Sequence, residues 1–126
     1  MQDSQSSLSF KFTAAYRLLR RDGFEHVIRA GNIADSQFKI FFVPNQGKNA
    51  RLGIIASKKK LPNAVDRNRV KRIIRDKFRQ HKIKRCKLDV VVMLKNGCGQ
   101  GADTRFDNLE RLFSQVEDRC VEWSLR

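Results

Sequence analysis

The spacing of hydrophobic and polar residues changes several times along this chain, and each change predicts a different element. Between Arg21 and Ala30, Phe24, Val27 and Ile28 share one face, which predicts a short helix with Gly31 as its left-handed stop. Gln37 to Val43 predicts a strand, with Phe38, Ile40 and Phe42 on one side and Lys39, Phe41 and Val43 on the other. Pro44 to Asn49 has the composition of a turn, and Arg51 to Ser57 predicts a second strand. Val70, Ile73, Ile74 and Phe78 recur at the i, i+3, i+4, i+8 spacing of a core-facing helix; Asn63 or Asp66 is its expected cap, just after Pro62. Leu88 to Leu94 is a third strand, and its continuous aliphatic character predicts a central position buried on both sides. Beyond a glycine-rich loop at 96–103, Leu109, Leu112, Phe113, Val116, Cys120 and Trp123 predict a final helix from about Thr104. Helix, strand, strand, helix, strand, helix is the order of an α+β or α/β sandwich: helices on a small sheet, one domain over 13–126 behind a flexible Ser/Gln-rich tail at 1–12.

The length of 126 residues fits one domain with a real core, and 40% hydrophobic residues with nine Phe argue against wholesale disorder. Charge changes the picture more. The net charge is +14, and Lys58 to Arg85 holds thirteen basic residues against Asp66 and Asp76 alone, so 28 residues carry +11 of it. A charge that only solubilised would mix both signs along the chain; this concentration predicts a surface for a polyanion. On the predicted helix, Asn68, Lys71, Arg72, Arg75 and Arg79 oppose the apolar stripe and form an outward basic ridge. Asp107, Glu110, Glu117, Asp118 and Glu122 give the last helix an acidic outer face instead.

Catalytic chemistry finds little support. Gly97 to Ala102 matches G-x-G-x-x-G/A, but a dinucleotide fold needs a further strand bearing an acidic residue, which is not expected in the residues up to Arg126, so a flexible loop is expected instead. Asp66, Asp76 and Asp89 stand isolated among basic or apolar residues, unlike the clustered carboxylates of a metal nuclease. His26 and His81 are expected to be structural or solvated rather than a catalytic pair. Cys86, Cys98 and Cys120 lack C-x-x-C spacing, so three reduced thiols in a cytoplasmic protein are expected, with no metal site. No secretory signal is expected from the first residues, and the longest aliphatic run, Val90 to Leu94, is far short of a membrane span.

Residues 51–79 carry a more specific signal: an Arg51-x-Gly53 strand, a Ser57-Lys58-Lys59 turn, and a helix reading Arg67-Asn68-Arg69, then Lys71-Arg72 and Arg75. This resembles the signature of the bacterial ribonuclease P protein subunit, R-N-R-x-K-R-x-x-R. Weaker likeness at Asp22 to Gly31 and Leu88 to Val92 extends it to about 16–123. The resemblance implies an α/β sandwich with a left-handed βαβ crossover, a fold shared with the second domain of a small-subunit ribosomal protein. It implies a catalytic RNA partner and precursor tRNA as substrate, with the 5′ leader removed by an active site that the RNA carries with its Mg²⁺. No membrane and no obligate protein partner are implied. RNA contacts carried over are Lys58, Lys59, Arg67, Asn68, Arg69, Lys71, Arg72 and Arg75, with a leader cleft lined by Phe24 and Phe41; Ile28 replaces a second helix aromatic. Without the resemblance, a generic RNA-binding module such as a ribosomal protein, or a DNA-binding regulator, fits the charge.

Overall fold

The computed structural model describes residues 16–18, 24–47, 49–59, 61–95 and 106–124, the last four without their side chains. The predicted tail at 1–12, the glycine-rich loop at 96–103 with Cys98, and the side chain of Trp123 lie outside the described residues.

Periodicity places the larger elements well. Helix α1 spans Glu25–Ala30, and its predicted first residues, 21–23, are outside the description. Gly31 does not adopt the expected left-handed conformation: φ −178° and ψ 164° are extended, because the chain runs straight into strand β1, Asn32–Ala34. That three-residue strand is too short to leave a period in the sequence. Strand β2 is Phe38–Pro44, and β3 is Arg51–Ile55, ending two residues before the predicted Ser57, whose carbonyl instead accepts from the Leu61 N–H at 2.9 Å to close the loop. Helix α2 runs Ala64–Gln80, capped by Asn63, whose Oδ1 accepts from the Val65 N–H at 2.8 Å. A 3₁₀ turn, Lys82–Arg85, is started by His81, whose Nδ1 accepts from the Ile83 N–H at 3.0 Å. Strand β4 is Leu88–Leu94, and α3 is Asp107–Ser124. Phe106 precedes α3 with φ 55°, a costly value for a large side chain. Its buried ring meets Phe38 edge-on at 5.0 Å, an aromatic contact that helps hold it there.

The sheet order is β1-β2-β4-β3. β4 pairs antiparallel with β2, from Phe38↔Leu94 to Pro44↔Leu88, and parallel with β3, from Arg51↔Asp89 to Ile55↔Met93. Helix α2 is therefore the crossover of a βαβ unit; the sheet is mixed, a pairing the pattern alone leaves open, and the fold is α+β as expected. The outer edge of β3 is not bare: Arg17 bridges Leu52 in parallel, and the Leu18 N–H donates to the Leu52 carbonyl at 2.9 Å.

Alternation along the strands divides the interior in two. Phe38, Ile40 and Phe42 of β2, Leu52 of β3, and Leu88, Val90, Val92 and Leu94 of β4 meet Val70, Ile74 and Phe78 of α2 and Leu109, Leu112, Phe113 and Val116 of α3. Across the sheet, Phe41 and Val91 meet Val27 of α1 and Leu18. Cys86 and Cys120 pack half-buried against the larger core; burial, with Cys120 beside it, pushes the Cys86 thiol up to about 12, so it is protonated and unreactive at neutral pH.

Ile74, wholly buried under α2, and Val65, 72% exposed on the same helix, separate packing from propensity. In urea titrations, Ile74→Ala should cost about 2–5 kcal/mol and Val65→Ala should stay within about 0.5 kcal/mol of the parent.

Candidate nucleic-acid interface

Helix α2 has its apolar stripe against the larger core, and this fixes which basic residues face outward. Asn68, Arg69 and Arg72 are exposed, and so are Lys58 and Lys59 in the turn after β3. Lys71 is half-buried on the helix flank rather than on the outward ridge: at ~100° per residue it lies about 60° from Ile74 and about 20° from Phe78, so its stem covers apolar surface. Arg67 is also half-buried, and its Nη1 donates to the carbonyls of Leu61 and Pro62, both at 2.9 Å. Arg67 thus fastens the loop that enters α2, a role the sequence pattern does not distinguish from RNA contact. Arg75 is half-buried too; burial first, and the Arg17 charge second, pull its pKa below the usual guanidinium value. Arg79 pairs with Asp76 at 2.9 Å. Lys77 turns to α3, reaching Glu110 at 2.8 Å and Asp107 at 3.7 Å. No carboxylate among the described residues pairs with Arg69 or Arg72.

The predicted cleft residues lie across the sheet from α2. Phe41 exposes only 6% of its surface, enclosed by Leu18, Val27 and Val91, and Lys39 Nζ stands 5.3 Å from its ring centroid. Phe24, half-buried at the start of α1, lies over β3: a Cβ on Gly53 would sit 2.6 Å from its Cε1 and Cζ and 3.2 Å from the Leu18 carbonyl. The glycine of the Arg51-x-Gly53 strand therefore makes room for the Phe24 ring. Ile28 is exposed at 38% on the same helix.

The arginine of that strand has its own task. Asp89, 2% exposed at the start of β4, takes two hydrogen bonds from Arg51, Nε to Oδ1 and Nη2 to Oδ2, both 2.9 Å. Asn45 Nδ2 adds a third at 2.9 Å, and His26 Nε2 of α1 lies 3.3 Å from Oδ2. Asp89 is thus the buried acceptor of a four-residue cluster, not the isolated acid its sequence neighbours suggest; its partners are distant in sequence, so no local pattern announces them. Its burial favours the neutral acid, but the hydrogen bonds from Arg51, Asn45 and His26, with the Arg51 charge, outweigh that and hold its pKa below the usual carboxylate value. His81 is on the opposite face, tilted against Phe113 at 5.8 Å and 3.1 Å from Ser114 Oγ, so the two histidines do not converge. Among the described residues no three His, Cys, Asp or Glu side chains gather as a metal site, and no helix is long and apolar enough to cross a membrane.

A carboxylate whose pKa is depressed by folding stabilises the fold above its unfolded value, near 4, and that contribution is lost as pH falls through the native value. Asp89→Asn should flatten this acid limb in denaturation measured from pH 7 to pH 2. At pH 7 it should cost about 1.5–3 kcal/mol, since the half-exposed Arg51 can return to water.

The Ribonuclease P family profile matches residues 12–117. The chain is similar to the ribonuclease P protein component of Thioalkalivibrio sulfidiphilus, 36% identical over 117 residues covering 87% of this chain and 93% of that protein. It is also similar to that of Pseudoalteromonas atlantica, 35% identical over 86% of this chain and 92% of that protein. Among solved structures, an RNase P protein mutant from Staphylococcus aureus superposes with a TM-score of 0.71 at 27% identity, covering 93% of this chain and 98% of that one. A second S. aureus RNase P protein structure gives 0.62 at 29% identity, over 82% of this chain and 94% of that one. With the profile spanning most of its length, from the segment bridged to β3 into α3, the chain belongs to the ribonuclease P protein family.

Proposed function

We propose that this chain is the RNA-binding component of a cytoplasmic ribonuclease P, pairing with a catalytic RNA and holding precursor tRNA while its 5′ leader is removed. The observation that carries this reading is the exposed row Asn68, Arg69 and Arg72 on a helix whose other side is anchored in the core, with Lys58 and Lys59 exposed in the turn that leads to it. Arginine forks engage phosphate oxygens bidentately, and the lysines add mobile positive charge. Arg67, Lys71 and Arg75 support the row from its flanks. The leader lies against α1 and the sheet. Phe24 offers the accessible ring, and base stacking on an aromatic is worth roughly 1–3 kcal/mol whatever the base. Phe41, enclosed by its neighbours, forms the floor under α1 rather than a stacking surface.

Hydrolysis is assigned to the RNA subunit, with Mg²⁺ bound mainly there to supply Lewis-acid chemistry. The protein's residues bind phosphate, lower repulsion between two RNAs, and orient the leader. Asp89 and His81 serve the fold, one in the cluster around Arg51 and the other at the start of the 3₁₀ turn, which supports this division.

Labelled precursor tRNA, incubated at low Mg²⁺ with protein, with catalytic RNA, or with both, tests the reading. Cleavage at the mature 5′ end should require the mixture; binding without stimulation would leave a generic RNA-binding module, and cleavage by protein alone would return the chemistry to its side chains. Replacing Arg69 and Arg72 together with Ala should weaken binding to the catalytic RNA. It should also reduce the slope of log affinity against log salt by about 1 for each phosphate that is no longer neutralised. An unchanged slope would place the RNA elsewhere.

A further inference from the structure

We infer that His26 is a positioning residue: through its contact with Asp89 it sets α1, and with it Phe24, at the height over the sheet that the leader requires. This rests on the leader reading above. Helix α1 has six residues, under two turns, and no side-chain cap at its start; a helix this short does not hold itself in water and takes its place from tertiary attachments. Val27, wholly buried against Phe41 and Val91, is an apolar attachment, free to rotate and slide. At the helix's end the Gly31 carbonyl accepts from the Phe42 N–H of β2 at 3.1 Å, and within the helix the directional side-chain attachment among the described residues is His26 Nε2 to Asp89 Oδ2, at 3.3 Å.

The far end of that contact is unusually well fixed. Asp89 is held by the paired bonds from Arg51 and by Asn45, whose backbone N–H donates to the Lys87 carbonyl at 2.9 Å and whose Oδ1 accepts from the Gly47 N–H at 2.9 Å. Donors from β3 and from the loop between β2 and β3 therefore converge on one carboxylate of β4, and α1 joins them through a single ring. That ring is about half exposed while its partner is buried. Loss of His26 leaves Asp89 with three donors, so the sheet end stays satisfied and only the helix is released. The consequence is selective. Arg69 and Arg72 sit on α2, against the other face of the sheet, and do not depend on α1, so assembly with the catalytic RNA is insensitive to His26. Recognition of the leader is sensitive to it.

The test uses the full chain assembled with catalytic RNA and compares precursor tRNA carrying a 5′ leader with mature tRNA. His26→Ala should weaken precursor affinity by about three- to tenfold, the loss of one partly solvated charge-assisted hydrogen bond, and leave mature tRNA affinity and assembly unchanged. His26→Gln, which keeps a donor within reach of Asp89, should recover most of the loss. Hydrogen exchange on the assembled protein should speed up in His26→Ala at the Val27 and Ile28 amides, which both donate to the Phe24 carbonyl at 3.0 Å, and not on β4. Equal loss for precursor and mature tRNA would overturn the inference, and so would a leader-specific loss with unchanged exchange, which would make His26 a direct RNA contact. If the parent protein itself shows no preference for the leader, the functional reading fails first; if it does and His26→Ala matches it, only the role of His26 falls.

Discussion

Everything in this fold depends on β4 being paired on both edges and covered on both faces. A strand with that environment presents alternate residues to two separate interiors: Leu88, Val90, Val92 and Leu94 to one, Asp89 and Val91 to the other. Because the side-chain period is two, a register slip of one residue would send Asp89 into the larger core and expel Val90 from it. Burial of an ionised carboxylate without partners is prohibitive, so the Asp89 cluster penalises the slipped pairing as strongly as the aliphatic residues favour the native one. The register that places Arg51 beside Asp89 also places Gly53 beside Val91, under Phe24. Arg51 and Gly53 are thus two halves of one arrangement, one bonding the sheet end and the other clearing space for α1.

Legibility in the sequence follows the reach of each interaction. The faces of β2, the ends of β4 and the cap of α2 can be read because runs of five or more residues repeat a period and Asn63 acts on a backbone N–H two residues away. β1, the 3₁₀ turn and the Arg17–Leu18 edge segment are two to four residues long and have no period to detect. Gly31 misleads because a glycine after a helix signals a left-handed stop only when the chain turns away, whereas here it enters the sheet directly.

The candidate interface is legible as composition and less so as geometry. A run of basic residues announces a binding surface, but which of them are free to bind is decided by neighbours outside the run. Arg67 spends a donor nitrogen on Leu61 and Pro62, and Lys71 lies along the helix flank. The helical wheel orders residues around the axis but does not say how far the core climbs that flank. Phe41 shows the same gap from the apolar side. Its alternation with Phe38, Ile40 and Phe42 assigns it correctly to the second face, yet only Leu18, arriving from the segment along β3, together with Val27, closes that face over its ring.

Charge on α2 also poses a problem that α3 resolves. A helix with so many like charges repels itself, and this opposes folding. The acidic outer face of α3 lies close enough for Lys77 to reach both Glu110 and Asp107, and the Lys77 hydrogen bond, with its charge, lowers the Glu110 pKa. Exposed pairs of this kind add little stability each, so their value lies in where they act. They neutralise the side of α2 that faces its neighbour helix and leave Arg69 and Arg72 uncompensated by any described carboxylate. The ion pairs to α3 therefore act on the Lys77 side of α2 and leave the positive charge of Arg69 and Arg72 concentrated on its outward side.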